Sequence, residues 1–166
     1  MPELMRLHAG HASAVLAFEL ANRAYFAASV CDRGDAYYDR FTDRYSALLA
    51  EQEAGVCAFH VLVAEGGSVL GRFNLYDLEN GTAEVGYRVA QRVAGRGVAT
   101  ANVRELCRLA VASHGLHTLR AATAHDNAAS QKVLVKAGFV QVGPADPADL
   151  GGKPGTWYQR DLALQQ

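Results

Sequence analysis

The sequence predicts an α+β fold: a mixed, mostly antiparallel central sheet of about seven strands, flanked by four helices that cover both faces. Three observations carry that expectation. Two turn signals, Gly66–Gly67 and Asn80–Gly81, separate three runs rich in β-branched and aromatic residues, the mark of an antiparallel meander. Four other segments space apolar residues three and four apart, as one face of a helix requires. The elements run strand, two helices, three strands, helix, strand, helix, two strands. The 166 residues favour one domain, expected to span 1–166.

Each element has its own local reason. ELMRLH reads as a short strand. Residues 11–30 read as a helix, with Leu16 and Leu20 four apart and Val15 and Phe18 three apart. Gly34 interrupts the chain; Tyr37, Phe41, Tyr45, Leu48 and Leu49 then fall at helical spacing in a second helix that Gly55 ends. VCAFHVLVAE, SVLGRFNLYD and TAEVGYRV are the meander strands. Ala99, Val103, Leu106, Cys107, Ala110 and Val111 line one face of the third helix, opposite Arg104, Glu105 and Arg108, and Gly115 stops it. HTLRAAT is a strand. NAASQKVLVKAG starts at an N-cap, Asn127 or Asp126, and closes on Gly138. FVQVG and TWYQRDLAL are the last strands, with a loop over 144–155 that holds three prolines and three glycines.

Composition narrows the function classes. The formal net charge is -1 and no basic stripe is present, so neither nucleic acid nor a membrane surface is an expected partner. Half the residues are hydrophobic, a globular composition. The N-terminal MPELMRLHAG has no basic segment followed by an apolar one, and no apolar run approaches a membrane span, so a soluble cytoplasmic protein is the expectation. Cys31, Cys57 and Cys107 are few and far apart and read as buried free thiols. His8/His11 and His114/His117 are each three apart but straddle element ends without a patterned acidic ligand, so no metal is expected.

The stretch VAGRGVATANVREL, from Val93, places two glycines at the mouth of the best-defined helix. The first N–H groups of a helix lack internal partners and carry partial positive charge, which suits a phosphate. Glycine lets the backbone approach such a ligand, and Arg96 and Arg92 add charge. Gly95, Arg96, Gly97, Val98, Ala99 and Thr100 therefore form a candidate cradle. A dinucleotide fingerprint would need a glycine where Thr100 stands, and a Walker loop would need G-K-[ST]. The remaining readings are a pyrophosphate loop of acyltransferase type and a glycine turn with no ligand.

Two linked stretches resemble the GNAT N-acetyltransferase superfamily, in its ribosomal-protein N-acetyltransferase (RimJ/RimL-like) branch. AEVGYRVAQRVAGRGVATANVREL is similar to that branch's strand, loop and helix, and AHDNAASQKVLVKAGFVQVG to its second signature, an Asn-x-x-Ser helix ending in Lys-x-Gly-Phe. The resemblance implies the acyl-CoA N-acyltransferase fold, acetyl-CoA as cosubstrate, and direct acetyl transfer to a primary amine in a ternary complex. The acceptor it implies is a protein N-terminus or a small molecule, met by a monomer or homodimer.

Carried over residue by residue, the resemblance implies that Tyr87, Arg88 and Val89 lead the pantetheine into the cradle. Asn127, Ser130 and Lys132 contribute from the second stretch, with Ser130 donating a hydrogen bond to the leaving thiolate. The alternative for Asn127 is a plain N-cap, and for Ser130 a first-turn residue bonding the backbone. Glu84 is the candidate base, with Asp146 and Asp149 as rivals. Two departures stand out: Ala94 replaces the loop's usual first Gln/Arg, and Leu134 replaces a tyrosine that serves many relatives as the acid. The alternative of a different class is a non-catalytic acyl-CoA-binding regulatory module.

Overall fold

A computed structural model of the chain describes residues 1–29 and 32–162. Among them, seven strands form one sheet in the order β1-β2-β3-β4-β5-β7-β6. The strands are β1 (Glu3–Arg6), β2 (Ala58–Val63), β3 (Val69–Glu79), β4 (Thr82–Val89), β5 (Thr118–Ala124), β6 (Val140–Ala145) and β7 (Gly155–Asp161). Neighbours are antiparallel except β4 and β5, so the sheet is mixed as the sequence predicts.

Among the described residues the α-helices number six rather than four: α1 (Ala12–Ala21), α2 (Arg23–Ala27), α3 (Asp35–Asp39), α4 (Phe41–Glu53), α5 (Val98–His114) and α6 (Ala128–Lys136). The helix predicted over 11–30 is cut at Asn22. Its buried side-chain amide donates to the Phe18 carbonyl at 2.9 Å, which satisfies an end-of-helix acceptor. Its side-chain oxygen accepts from the Gln91 N–H at 3.0 Å, so the same residue ties α1 to the loop after β4. The second predicted helix is cut at Arg40, whose φ of -111° and ψ of 25° leave the helical region.

Helices α1–α4 cover one face of the sheet and α5 and α6 the other. Strand alternation decides which side chain meets which layer. Phe73 and Leu75 point towards α5 and α6, where Val103, Leu106 and Ala110 are fully buried. Arg72, Asn74 and Tyr76 point the other way and stand across the ladder from Arg88, Gly86 and Glu84. Into that second layer α1 projects Glu19, which has no exposed surface. Arg33 and Arg72 reach its carboxylate at 3.0 Å and Arg88 at 3.3 Å.

Cys57 and Cys107 are buried free thiols, and Cys31 lies outside the described residues. Among the described residues no helix is long and apolar enough to cross a membrane.

The parallel pair β4–β5 creates the cleft. Its ladder runs only from Thr82 to Glu84 and from Thr118 to Arg120. Beyond that point the strands separate, and a cavity opens between Val85–Tyr87 and Ala121–Ala124. Backbone groups on those facing edges are left free to bond a ligand.

Candidate active site

The glycine loop has the conformation that a cradle needs. Gly95 has φ +74° and Gly97 φ +78°, left-handed values that residues with a Cβ rarely adopt. Beyond the adjoining residues, no described atom lies within 4 Å of where a Cβ would stand at either position, so the space above the loop is open. Gly97 is the N-cap of α5 and offers no side chain to the first-turn N–H groups. Those donors, next to the exposed Arg96, fit an anionic group such as a pyrophosphate. Asn22, through Gln91, anchors the loop's start to α1.

The remaining candidate residues scatter more. Val98, Ala99 and Thr100 are half-buried in the first turn of α5, and Ala99 lines the cleft. Arg92 donates to Ser68 Oγ at 3.2 Å and lines a different cavity. The Arg88 guanidinium lies 4.5 Å over the Phe26 ring, between that ring and Glu19. Lys132 is exposed on α6.

At the start of α6, Asn127 is an N-cap: its Oδ1 accepts from the Ser130 N–H at 3.2 Å. Gln131 donates to the Ala124 and His125 carbonyls, at 3.1 and 2.8 Å, and pins the helix to the end of β5. Capping explains Asn127 alone, because the Ser130 hydroxyl is not spent on backbone. The Tyr87 hydroxyl donates to Ser130 Oγ at 3.4 Å, a long bond. Tyr87 stacks on Phe73, with centroids 5.9 Å apart and planes 8° apart. Burial raises its pKa, opposed by the Ser130 hydrogen bond. The sequence assigned Tyr87 only backbone duties. No local pattern ties residue 87 to residue 130, and only the packing of α6 across β4 joins them.

Two cavities meet at this pair. One, of 210 Å³, runs from Gly95 and Ala99 past Phe26, Val89 and Val133. The other, of 320 Å³, fills the strand split between Gly86 and Ala122 and is floored by Leu134, with Asp149 and Leu150 at its side. They share Ser29, Tyr87, Asn127 and Ser130. A larger cavity of 570 Å³ lies between α1 and the β2–β3 turn. Its lining is four alanines, Phe18 and Val69 with Asn22, Ser68, Gln91 and Arg92, and those polar groups bond one another, Asn22 to Gln91 and Arg92 to Ser68, so the junction at Ser130 is the better site.

Glu84 is the last β4 residue paired with β5, so it stands at the closed end of the split. It is half-buried and lines neither cavity. Burial raises its pKa, and the charges of Asp77 and Asp149 add to the rise against Arg120. The rivals have separated: Asp146 caps a short turn by accepting from the Ala148 N–H at 3.0 Å, whereas Asp149 lines the larger of the two site cavities.

His8 and His11 have structural partners. His8 Nδ1 accepts from the Gly10 N–H, His11 Nδ1 accepts from the His8 N–H, and the two rings stack at 3.7 Å. Among the described residues no group of three His, Cys, Asp or Glu side chains could hold a metal ion.

Comparison with known proteins adds three findings. The family model for the acetyltransferase (GNAT) domain matches residues 4–140. An uncharacterized N-acetyltransferase, p20, from Bacillus licheniformis is 33% identical over 87 residues, which cover 51% of this chain and 49% of that protein. The chain thus aligns with about half the length of that relative. Among solved structures, ribosomal-protein-S5-alanine acetyltransferase from Vibrio fischeri superposes with a TM-score of 0.89 at 18% identity, covering 99% of this chain and 96% of the other. Spermidine N-acetyltransferase from Vibrio cholerae, in complex with CoA and spermine, gives 0.79 at 15% identity, covering 98% and 96%.

Proposed function

The chain belongs to the acetyltransferase (GNAT) domain family, and from that membership we propose that it transfers an acetyl group from acetyl-CoA to a primary amine, directly within a ternary complex. The acceptor is a peptide N-terminus or a small molecule. One observation carries the reading: the cavity that starts at the glycine loop and the cavity in the strand split meet at Tyr87 and Ser130. Two reactants entering from opposite ends would meet there, and positioning of that kind supplies much of the rate of a bimolecular reaction. Of the cysteines among the described residues, Cys57 and Cys107, neither lines either cavity.

The residues then take distinct parts. The loop Gly95–Gly97 and the first turn of α5 hold the pyrophosphate, and the free edge at Tyr87–Val89 bonds the pantetheine. The C–N bond forms as the C–S bond breaks, and the amine proton passes to Glu84, directly or through water. Ser130 donates to the thiolate as its charge develops. Tyr87, hydrogen-bonded to Ser130, stands in for the hydroxyl that Leu134 lacks.

Ser130→Ala should lower kcat by about ten- to a hundredfold and leave CoA affinity nearly unchanged, because the donor matters mainly as charge forms on sulfur. If Ser130 serves only the helix start, the change instead costs about 1 kcal/mol of stability and little rate. Steady-state thiol release beside a thermal melt separates the two, and amine-dependent release separates an enzyme from a module that only binds CoA.

The base has a pH signature. A base must be ionised, so activity falls as pH drops through its pKa. The acid limb that the free enzyme contributes to kcat/KM should therefore lie above the ordinary glutamate value of about 4.3. Glu84→Gln should abolish that limb. Asp149→Asn should move it to lower pH, because a repelling charge is removed; loss of the limb in Asp149→Asn would make Asp149 the base.

A further inference from the structure

A fourth cavity, of 280 Å³, lies between α4 and the β3 residues that face α1–α4. Arg33, Arg44, Arg72, Asn74, Tyr76 and Glu51 line it. Its charge is unbalanced. Behind the wall, Glu19 is shared by Arg33, Arg72 and Arg88. Among the described residues that line or back it, four guanidiniums face two carboxylates, an excess of two positive charges. Burial and then Arg33 lower the pKa of Arg88, as expected where cations crowd.

A second observation points to a ligand. Asn74 is 7% exposed, and its Oδ1 is buried with no hydrogen-bond partner among the described residues. Its Nδ2 donates to the Tyr76 hydroxyl at 3.0 Å. Turning the amide over would move the deficit to the nitrogen, so one end lacks a partner either way. Buried polar groups are rarely left so, and a ligand N–H would satisfy this one.

The cavity is also well placed. Asn74 stands across the ladder from Gly86, and Gly86 lines the split beside Ser130. Adjacent strands lie about 4.8 Å apart, and an extended peptide advances about 3.3 Å per residue. A peptide whose amine reaches Ser130 through the strand split, and whose next residues leave on the α1–α4 face past the Tyr76 ring that covers Gly86, would bring those residues to this wall.

We propose that this cavity is the acceptor's specificity subsite and takes a carboxylate, so that the acceptor is a peptide N-terminus with an acidic residue close behind the amine. Asn74 accepts a peptide N–H, and Arg44 and Arg33 face the acidic side chain. A polyamine is disfavoured by the same charges. This rests on the acetyl-transfer reading above for its chemistry, but the subsite can be read by binding alone.

The test uses the full chain with two free-amine tetrapeptide amides, Ser-Asp-Ala-Ala and Ser-Asn-Ala-Ala, and with spermidine. Thiol release from acetyl-CoA gives kcat/KM for each, and calorimetric titration in saturating CoA gives peptide affinity. The Asp peptide should exceed the Asn peptide by about tenfold, as one partly desolvated charge pair allows, with spermidine last. Arg44 is exposed, so Arg44→Gln should fold, and it should shrink the Asp/Asn ratio towards one through KM. Equal affinities for the two peptides, or a preference for spermidine, would overturn the proposal. Absent CoA binding would instead sink the acetyl-transfer reading, while the peptide titration without CoA still decides the subsite.

Discussion

Gly97→Val is expected to weaken CoA binding by at least about a hundredfold and to leave the fold standing. Gly97 sits at φ +78°, where a β-branched residue carries roughly 1–3 kcal/mol of backbone strain. The loop can relieve that strain by rotating away, which turns the first-turn N–H groups of α5 from the ligand. A valine that stays in place instead projects into the open space a pyrophosphate would occupy. The two costs together correspond to about 2.7 kcal/mol in affinity. Among the described residues nothing beyond the chain neighbours lies near the new Cβ, and the loop is exposed, so circular dichroism should change little and Tm should fall only by the few degrees of whatever strain the loop retains. Gly97→Ala should fall between the two. Undiminished affinity in a calorimetric titration of Gly97→Val with CoA would refute the cradle.

Glu19→Ala should destabilise the protein by about 3–5 kcal/mol, because it leaves Arg72 and the half-buried Arg88 without their shared anion. For a chain of this size that lowers Tm by roughly 2–4 °C per kcal/mol. Burial is the largest single influence on Glu19 and would raise its pKa. Arg33, Arg88 and Arg72 together outweigh it, so the pKa lies below the ordinary value. A carboxylate with a depressed folded-state pKa stabilises fully above its unfolded pKa, and that stability is lost as pH falls through the depressed one. The wild type should therefore lose stability in acid below about pH 4, and Glu19→Ala should flatten that dependence. A loss under about 1 kcal/mol in urea unfolding would mean that the arginines reach water when the glutamate is gone.

Local chemistry was legible in the residues themselves. The turns at Gly66–Gly67 and Asn80–Gly81, the stripe of Val103, Leu106, Cys107 and Ala110, and the glycines before α5 each act through neighbours a few positions away. Period and glycine placement therefore reported them. The cut at Asn22 was not legible, because it depends on an amide that reaches Gln91, far along the chain. Glu19 carried no local signal for the same reason: its partners come from a loop and two strands.

The sequence by itself determined the mixed sheet, the order of its strands and of the helices after β4, and the glycine loop at a helix mouth. Those depend on backbone propensity and side-chain period, which are properties of short stretches. Only the tertiary structure decided that β4 and β5 part after Glu84, that Tyr87 meets Ser130, and that Asn74 is left unpaired beside a cluster of arginines. Each of these joins residues from separate elements across the sheet, and their separation in space is set by how the layers pack.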